Sequence, residues 1–442
     1  MDYHPHFPPD FSKKSLDTLE YALDHLGAYH SWQARDPGAG SDVDQRYASL
    51  PVLTKRDIRE HFPAGFVPPG RDFETAVASG EIQTVNTSGS SDLRVTNIWH
   101  QPWWDASEKA SWKLNSHAAR LATGSHPEAI LANPRNVGII SDDVDLPYEK
   151  RRLRRFLYLN EKTNPTLWST RLMDRMIEEL SFYRPAVLEA NPSLLARLSR
   201  YAAAEKKPVF QPGLIVFTYE FPSQVHYRQI RRVFTAPTAS SYGTTETGYV
   251  FMQCEAGKFH QNSDFCRVDF QPLQSRHGGP RLGRMLVTTF NNPWYYMVRF
   301  DVGDLARVDE TDKCPCGRDS GFIVSAIEGR FANVTLACDG RLVTLRRLDD
   351  ALAALDGIDE YRLDQPSPGS YTLTVATSRT DRKQLETEAA GLLRGVYGKA
   401  AAVTIFYRDT LAPEESGKYC LARALFPLDV EDFLDRRKGE IT

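Results

Sequence analysis

Cysteine is scarce in this sequence, with six residues among 442. That number is too small for the disulfide framework of a secreted scaffold, so reduced thiols are expected. The sequence also lacks a run of about 18 apolar residues, which excludes a membrane-spanning helix. The N-terminus lacks the basic and then apolar layout of a signal peptide. These absences predict a cytoplasmic protein without a membrane partner.

A large excess of charge of either sign is also missing. The 54 Lys and Arg residues are balanced by 57 Asp and Glu residues, which gives a formal net charge of -3. Such a chain has no broad basic surface for nucleic acid, and nucleic acid is not expected as a partner. The sequence does not determine an oligomeric state. With 41% apolar residues and 442 residues in all, the chain can fill more than one core.

Short apolar runs alternate with helical patterns up to about residue 330. Leucines at positions 16, 19, 23 and 26 form one helical stripe, which we expect to pack on the main domain. Further helical patterns cover 107–121, 171–183, 192–205 and 224–234. The runs Val137-Gly138-Ile139-Ile140, Leu214-Ile215-Val216-Phe217 and Leu286-Val287-Thr288-Thr289 predict strands. This alternation predicts a mixed α/β body.

The pattern changes after Gly329-Arg330. Helical leucine spacing between Leu345 and Leu355 is followed by a strand pattern, a second helix and a second strand, with a hairpin turn at Gly369. This order is enough for a small α+β domain. We therefore predict a large domain over 1–329 and a small domain over 330–442.

Four separated patches carry the chemistry, and their order is that of a nucleotide-binding enzyme. A hydroxyl- and glycine-rich loop offers backbone N–H groups to phosphates, a Glu holds a cation against them, an Asp accepts from ribose hydroxyls, and a late Lys neutralises charge. The patches are Thr87-Ser88-Gly89-Ser90-Ser91, Tyr242-Gly243-Thr244-Thr245-Glu246, Arg299-Phe300-Asp301-Val302-Gly303-Asp304 and Ser416-Gly417-Lys418.

Together the patches resemble the AMP-forming adenylating enzymes, which include acyl-CoA synthetases, peptide-synthetase adenylation domains and luciferases. The second patch is similar to that family's Tyr-Gly-x-Thr-Glu in every defined position. The resemblance implies that Tyr242 stacks on adenine, Gly243 allows close approach, Thr245 bonds the α-phosphate and Glu246 ligates Mg²⁺. It also implies a large multi-subdomain N-terminal domain and a small mobile C-terminal domain.

The same resemblance assigns the remaining nucleotide contacts. Asp304 would receive the ribose hydroxyls, and Arg330, at the expected hinge, would reach ribose or phosphate. The turn Tyr219-Glu220 would face adenine. Lys418 would be the catalytic lysine, which stabilises charge between the carboxylate and the α-phosphate.

The sequence departs from the family pattern at two places. The phosphate loop continues as Asp92-Leu93-Arg94 instead of Gly, any residue and then Lys or Pro. An Asp beside a triphosphate is electrostatically unfavourable unless it turns away or is paired. The acidic hinge residue after Gly329-Arg330 is also missing, since Phe331-Ala332-Asn333 stands there, and the pivot is expected nearby.

Four residues have the composition of a zinc site. Cys254 and His260 stand on one loop, and Cys314-Pro315-Cys316-Gly317-Arg318 supplies two more sulfur atoms. Zinc prefers four such ligands in a tetrahedron, and a complete set leaves no open position for catalysis. We expect a structural zinc ion. The alternative is a group of buried free thiols with a solvated histidine.

These cysteines narrow the resemblance to the phenylacetate-coenzyme A ligase-like branch, some members of which carry such a motif. Leu50-Pro51-Val52-Leu53-Thr54-Lys55-Arg56-Asp57-Ile58 and Asn191-Pro192-Ser193-Leu194-Leu195 resemble further elements of that branch. The resemblance implies a two-step acid–thiol ligase. Carboxylate and ATP give acyl-AMP and pyrophosphate, and a thiol, coenzyme A first, then captures the acyl group.

Two alternatives to coenzyme A ligation remain open from the sequence. In one, adenylation is followed by transfer to the pantetheine of a carrier protein or to an amine. In the other, the chain is a non-catalytic nucleotide-binding homologue, as suggested by Asp92 and Arg94. The joint retention of Lys418, Glu246 and Asp304 argues against this second alternative. The identity of the carboxylic acid is not determined by the sequence.

Overall fold

The computed structural model describes residues 5–86, 95–311 and 313–435, which form two compact units. Unit 1 comprises the described residues of Met1–Ala119, Ser241–Ile327 and Phe433–Thr442. Unit 2 comprises Arg120–Ser240 and Glu328–Asp432. Residues 328–432 thus group with residues 120–240, and the functional division into 1–329 and 330–442 stays a prediction.

Helices and strands alternate along the described residues. The helices are α1 Phe11–His25, α2 Val43–Ser49, α3 Lys55–His61, α4 Phe73–Ser79, α5 Gln101–Trp112, α6 Ser116–Leu121, α7 Pro134–Val137, α8 Tyr148–Arg151, α9 Thr170–Tyr183, α10 Pro192–Ala204, α11 Gln224–Ile230, α12 Leu345–Ala353 and α13 Arg382–Tyr397. The strands are β1 Gln83–Asn86, β2 Thr96–Trp99, β3 Glu128–Leu131, β4 Arg152–Leu153, β5 Phe156–Tyr158, β6 Val187–Ala190, β7 Leu214–Phe217, β8 Thr238–Thr244, β9 Gly248–Gln253, β10 Phe259–Gln261, β11 Cys266–Pro272, β12 Leu282–Thr289, β13 Phe300–Val308, β14 Ile323–Arg330, β15 Thr335–Leu336, β16 Leu342–Val343, β17 Glu360–Ser367, β18 Ser370–Ala376, β19 Ala402–Arg408 and β20 Ala422–Ala424.

Unit 1 is built around a sheet with the strand order β11-β12-β13-β14-β10-β9-β8. The pairs β11–β12, β12–β13, β14–β10, β10–β9 and β9–β8 are antiparallel. The leucine stripe of α1 is buried in the same core as this sheet, through Leu19, Leu23 and Leu26. The expected packing of the N-terminal helix on the main body is therefore confirmed, because its apolar face has this core to cover it.

Unit 2 contains a parallel sheet with helices between its strands. Strands β5, β3, β6, β7 and β8 pair in parallel in that order, and β4 adds an antiparallel edge. All four residues of β3, of β6 and of β7 are buried. Such continuous burial is typical of parallel strands covered on both faces. The mixed α/β class predicted from the sequence is confirmed.

The C-terminal part of unit 2 forms a smaller α+β layer. Its sheet has the order β19-β18-β17-β20, with β17 and β18 antiparallel and the outer pairs parallel. The turn predicted at Gly369 joins β17 to β18, and Gly369 adopts the positive φ of 80° that the turn requires. Val225 of α11 is buried in the same core as this sheet, so the layer is docked on α11.

The strand predicted over Val137-Gly138-Ile139-Ile140 is wrong. The structure has helix α7 there, which ends at Val137. The Asn133 side chain accepts from the Arg135 N–H, Pro134 occupies the first turn, and Gly138 ends the helix with φ 82°. These start and stop signals outweigh the apolar run. The buried strand of this region is β3, a few residues earlier.

Within the described residues, every helix is too short or too polar to cross a bilayer.

Candidate active site

The second sequence patch forms the turn between β8 and β9 in unit 1. Gly243 lies so close to β9 that a Cβ atom there would be 2.2 Å from the Gly248 carbonyl oxygen. Glycine is therefore required at this position by the close approach of two backbones. The Thr244 and Thr247 hydroxyls are 3.0 Å apart across the turn. Of the two residues between these threonines, Thr245 is half-buried and Glu246 is buried.

Tyr242 and Asp304 connect two of the sequence patches directly. The Tyr242 hydroxyl donates to Asp304 Oδ2 over 2.9 Å. Asp304 is 8% exposed on β13, so one carboxylate oxygen is held by the phenol in a largely buried place. A carboxylate held in this way keeps further lone pairs to accept other hydroxyl groups. This is the hydrogen-bonding capacity that ribose recognition needs.

Glu246 has a cation partner that the sequence analysis did not assign. Lys55 Nζ lies 3.7 Å from Glu246 Oε1. Lys55 begins α3 after the N-cap Thr54, and Leu53, two residues before Lys55, forms a parallel bridge with Phe300. Glu246 Oε1 is buried and makes no hydrogen bond to the described residues. A buried carboxylate oxygen without a hydrogen bond is costly unless a cation shares the site.

The turn Tyr219-Glu220 belongs to unit 2 and follows β7. Tyr219 adopts φ 70°, a left-handed conformation that non-glycine residues rarely take. Glu220 Oε1 accepts from the Ser193 N–H over 2.7 Å at the start of α10. Burial raises the pKa of Glu220, whereas the Ser193 and Asn191 hydrogen bonds and the charge of Lys418 act in the other direction.

Residues 410–419, here called the Lys418 segment, reach the same part of unit 2. Asn133 Nδ2 donates to the Gly417 carbonyl oxygen at 3.4 Å and to that of Thr163 at 2.9 Å. Gly417 has φ 78°, and a Cβ atom there would lie 2.4 Å from Asn133 Cγ. The Lys418 ammonium acts electrostatically on Glu220. The structure thus brings Lys418 to the turn that was expected to face adenine.

The four expected zinc ligands of unit 1 come together. The ligand atoms of Cys254, His260, Cys314 and Cys316 all lie within 4.8 Å of one another. Cys254 Sγ is 3.7 Å from Cys314 Sγ, and Cys316 Sγ is 3.3 Å from His260 Nε2. The set is largely buried and consists of sulfur and imidazole nitrogen donors. It fits a tetrahedral zinc ion with all positions filled by protein.

Two short turns present the cysteines. The Gly257 N–H donates to the Cys254 carbonyl and the Gly317 N–H donates to the Cys314 carbonyl, each over 2.9 Å. Both glycines have φ 80°. The turns are also joined by an ion pair between Arg318 and Glu255 at 3.1 Å. The turn that carries Cys254 and the turn that carries Cys314 and Cys316 therefore face each other.

Some expected site residues are not tested by this geometry. The loop Thr87-Ser88-Gly89-Ser90-Ser91 lies outside the described residues, as do Asp92 and Arg94. Arg330 ends β14 in unit 2 and is half-buried. Its expected contact with ribose or phosphate stays a prediction.

The sequence analysis assigned no role to three polar residues of these sites, which are Lys55, Asn133 and Asn191. Lys55 and Asn191 appear there only within motifs, and Asn133 does not appear. Asn133 and Asn191 each precede a proline that begins a helix, and Asn191 Oδ1 accepts from the Asn133 N–H over 3.2 Å. The repeated Asn-Pro helix start was the available signal, since asparagine is a preferred N-cap residue.

Solved structures with a similar fold include 2-hydroxyisobutyryl-CoA ligase in the postadenylation state in complex with R3-HIB-AMP. The TM-score is 0.69 at 18% identity, over 94% of this chain and 88% of that one. The chain has the fold of this ligase. The same ligase with 2-HIB-AMP and CoA in the thioesterification state gives a TM-score of 0.54 at 18% identity, over 95% and 91% of the two chains.

A second similar structure is the amide bond synthetase McbA from Marinactinospora thermotolerans. It gives a TM-score of 0.52 at 15% identity, over 81% of this chain and 71% of McbA. A scan of protein-family models finds no match to the sequence, and neither does a search of curated proteins.

Proposed function

We propose that this chain activates a carboxylic acid with ATP as an acyl-AMP, releases pyrophosphate, and passes the acyl group to the thiol of coenzyme A. The observation that carries the proposal is the placement of Lys418 beside the Tyr219-Glu220 turn in unit 2. A lysine delivered to a nucleotide site by a late segment is what the first half-reaction requires, since negative charge grows at the α-phosphate. The fold of 2-hydroxyisobutyryl-CoA ligase supports the same chemistry.

The other residues take roles within this proposal. Asp304, held by Tyr242, receives the ribose hydroxyls, and the Tyr242 ring stacks on adenine. Thr244 and Thr245 offer hydroxyl groups to phosphate, together with Thr87-Ser88-Gly89-Ser90-Ser91. Glu246 holds Mg²⁺ on the phosphates, which is supported by its buried oxygen without a hydrogen bond. Arg330 contacts ribose or phosphate.

The zinc ion has a structural role in the proposal. Cys254, His260, Cys314 and Cys316 would hold it, and it would join two segments that are far apart in sequence. A full set of four protein ligands leaves no position for a substrate. The ion would supply stability to unit 1 rather than chemistry.

The region 330–442 is the proposed moving part. Gly329, just before it, has φ 95°, and a Cβ atom there would lie 2.9 Å from Leu345 Cβ. A glycine at this position allows backbone rotation that other residues would restrict. After pyrophosphate leaves, Lys418 would withdraw and admit the second substrate.

A second candidate acceptor is an amine, and its support is the likeness to the amide bond synthetase McbA. A carrier-protein pantetheine remains a third acceptor. The three differ only in the nucleophile of the second step. Adenylation is common to them, so one experiment separates them.

The test measures pyrophosphate release with ATP and Mg²⁺ over a panel of carboxylic acids. An accepted acid is then offered with coenzyme A, a pantetheinylated carrier and a panel of amines in separate reactions, and products are identified by mass. We expect a coenzyme A thioester. If amide forms without thioester, the acceptor is an amine and not coenzyme A. If none of the acids gives pyrophosphate release, the result favours a non-catalytic nucleotide-binding homologue.

A further inference from the structure

Glu360 is the centre of a buried polar cluster that touches the Lys418 segment. It begins β17 and is 6% exposed. It accepts from Arg197 at 3.0 Å and from Arg200, both on α10. It also accepts from the Thr410 hydroxyl at 3.1 Å and from the Leu411 N–H at 2.6 Å. One carboxylate therefore joins α10 to the chain that leads to Lys418.

The charge of Glu360 is maintained in this cluster. Burial opposes its ionisation, but the two guanidinium groups and the Leu411 N–H outweigh burial and hold its pKa below the usual value. An ionised carboxylate accepts stronger hydrogen bonds than a neutral one. The attachment of Thr410 and Leu411 to α10 is therefore charge-assisted.

Arg197 interacts with the segment before and after Lys418. It donates to the Thr410 hydroxyl at 2.5 Å. Burial raises the pKa of Tyr419, the residue after Lys418, and the nearby Arg197 charge opposes that rise. The Tyr419 ring packs edge-on against His226 of α11, with 6.5 Å between ring centroids. The segment is thus anchored on α10 and α11 before and after the lysine.

Part of the segment between these anchors lies over a cavity, whereas Ser416 and Gly417 are buried. The cavity has a volume of about 450 Å³ and separates this part from the small sheet. Thr372, Thr374 and Phe406 line the cavity on the sheet side, and Ala412 and Glu414 line it on the segment side. Because close packing cannot fix residues that lie over a cavity, the polar anchors at Thr410 and Tyr419 act together with the Asn133 contact at Gly417 to place Lys418.

We propose that Arg197 and Glu360 are positioning residues that hold Lys418 in place for the adenylation step. The inference rests on the proposed function and names the residues on which its first half-reaction depends. Removing Arg197 leaves Glu360 buried with one guanidinium fewer and takes away the hydrogen bond to Thr410 and the positive charge beside Tyr419. The second half-reaction, in which Lys418 withdraws, does not need this attachment.

The test separates the two half-reactions in Arg197→Ala, Glu360→Gln and the parent. Pyrophosphate release reports adenylation, and thioester formation from supplied acyl-AMP and coenzyme A reports transfer. A misplaced catalytic group costs on the order of 100-fold in rate, so we expect adenylation to fall about 10- to 100-fold. The KM for ATP and the transfer rate should stay within about twofold of the parent, because an effect confined to the adenylation transition state leaves both unchanged.

The control is Arg232→Ala, an exposed arginine after α11, which should leave both half-reactions unchanged. Arg200→Ala, which removes only one contact of Glu360, keeps the test possible where Arg197→Ala does not fold. Equal loss in both half-reactions, or adenylation within twofold of the parent in Arg197→Ala and Arg200→Ala, would overturn the inference. Failure of the parent itself to release pyrophosphate would instead count against the proposed function.

Discussion

The Tyr242 hydroxyl donates to the Asp304 carboxylate across 2.9 Å, and this hydrogen bond joins two motifs whose residues lie 62 positions apart in the sequence. Tyr242 stands where β8 approaches its turn, and Asp304 stands on β13. The proposed ribose site thus has its carboxylate oriented before any nucleotide binds. Such preorganisation reduces the cost of ordering side chains on binding.

Asp304→Ala should raise the KM for ATP about 10- to 100-fold, because a hydrogen bond to a charged group contributes about 1.5 to 3 kcal/mol. Tyr242→Phe should raise it less, since the carboxylate remains. Initial rates of pyrophosphate release against ATP concentration provide the measurement. Asp143→Ala, an exposed aspartate outside the nucleotide patches, is the matched control and should leave this KM nearly unchanged. If the control variant raised the KM for ATP as much as Asp304→Ala does, Asp304 would not be the ribose-binding residue.

Lys418→Ala should lower the rate of pyrophosphate release by about 100-fold or more, because the lysine contact is made mainly in the transition state. ATP affinity, measured by calorimetric titration, should change little. Lys399→Ala removes an exposed lysine of the same C-terminal region and should be neutral. Near-parental activity of the Lys418 variant would show that another group supplies the charge.

Glu246→Gln should raise the Mg²⁺ concentration for half-maximal activity by about tenfold or more, because a hard cation loses a carboxylate ligand. The amide keeps the shape of the side chain, so the fold of the β8–β9 turn should survive. Rates over a magnesium titration give the result. Glu74→Gln, exposed on α4, is the control. Identical magnesium curves for parent and Glu246→Gln would mean that a different carboxylate binds the ion.

Cys314→Ser should abolish bound zinc and lower the melting temperature by about 5 to 10 °C, because metal binding contributes directly to folding free energy. Elemental analysis of protein purified without chelator and a thermal melt are the two measurements. Cys338→Ser changes an exposed cysteine outside the cluster and should alter neither. Metal-free parent protein would exclude the zinc site.

His226 should make unit 2 less stable in acid. Burial lowers its pKa to about 4, with Glu360, Arg200 and Arg197 as the charged groups around it. The histidine is neutral in the folded state but protonates in the unfolded state below about pH 6.5, so its contribution is lost as pH falls from 6.5 to 4. That contribution is about 3 kcal/mol.

Asp349 acts in the opposite direction over much of this range. Burial raises its pKa to about 6, although hydrogen bonds from Ser223, Gln224 and Tyr361 act to lower it. The folded state therefore binds this proton more tightly than the unfolded state does, and the stabilisation that results is lost as pH rises towards 6.

The variant His226→Gln separates the effect of the histidine from that of Asp349. Urea midpoints of parent and variant at pH 7.5 and 4.5 should show the variant gaining relative stability at the lower pH. An equal difference at both values would show that His226 is not the titrating group.

Local patterns predicted much of the fold because the physics behind them is local. The leucine stripe of α1, the buried strand Leu214–Phe217 and the turn at Gly369 follow from helical spacing, β-branched runs and turn chemistry. The prediction failed at Val137-Gly138-Ile139-Ile140, where the short helix that Asn133 caps ends at Val137 and the next three residues form no strand. Hydrophobicity alone cannot distinguish these outcomes in a short run.

The sequence by itself determined which residue types this protein has for nucleotide chemistry and for zinc, because donor chemistry is a property of each side chain. Only the tertiary structure decided which of them meet. It brought Cys254 and His260 to Cys314 and Cys316, and it placed Lys55 against Glu246. It also anchored the Lys418 segment through Glu360. These contacts join residues far apart in the chain, and their distances depend on how the sheets and helices pack, which no local pattern encodes.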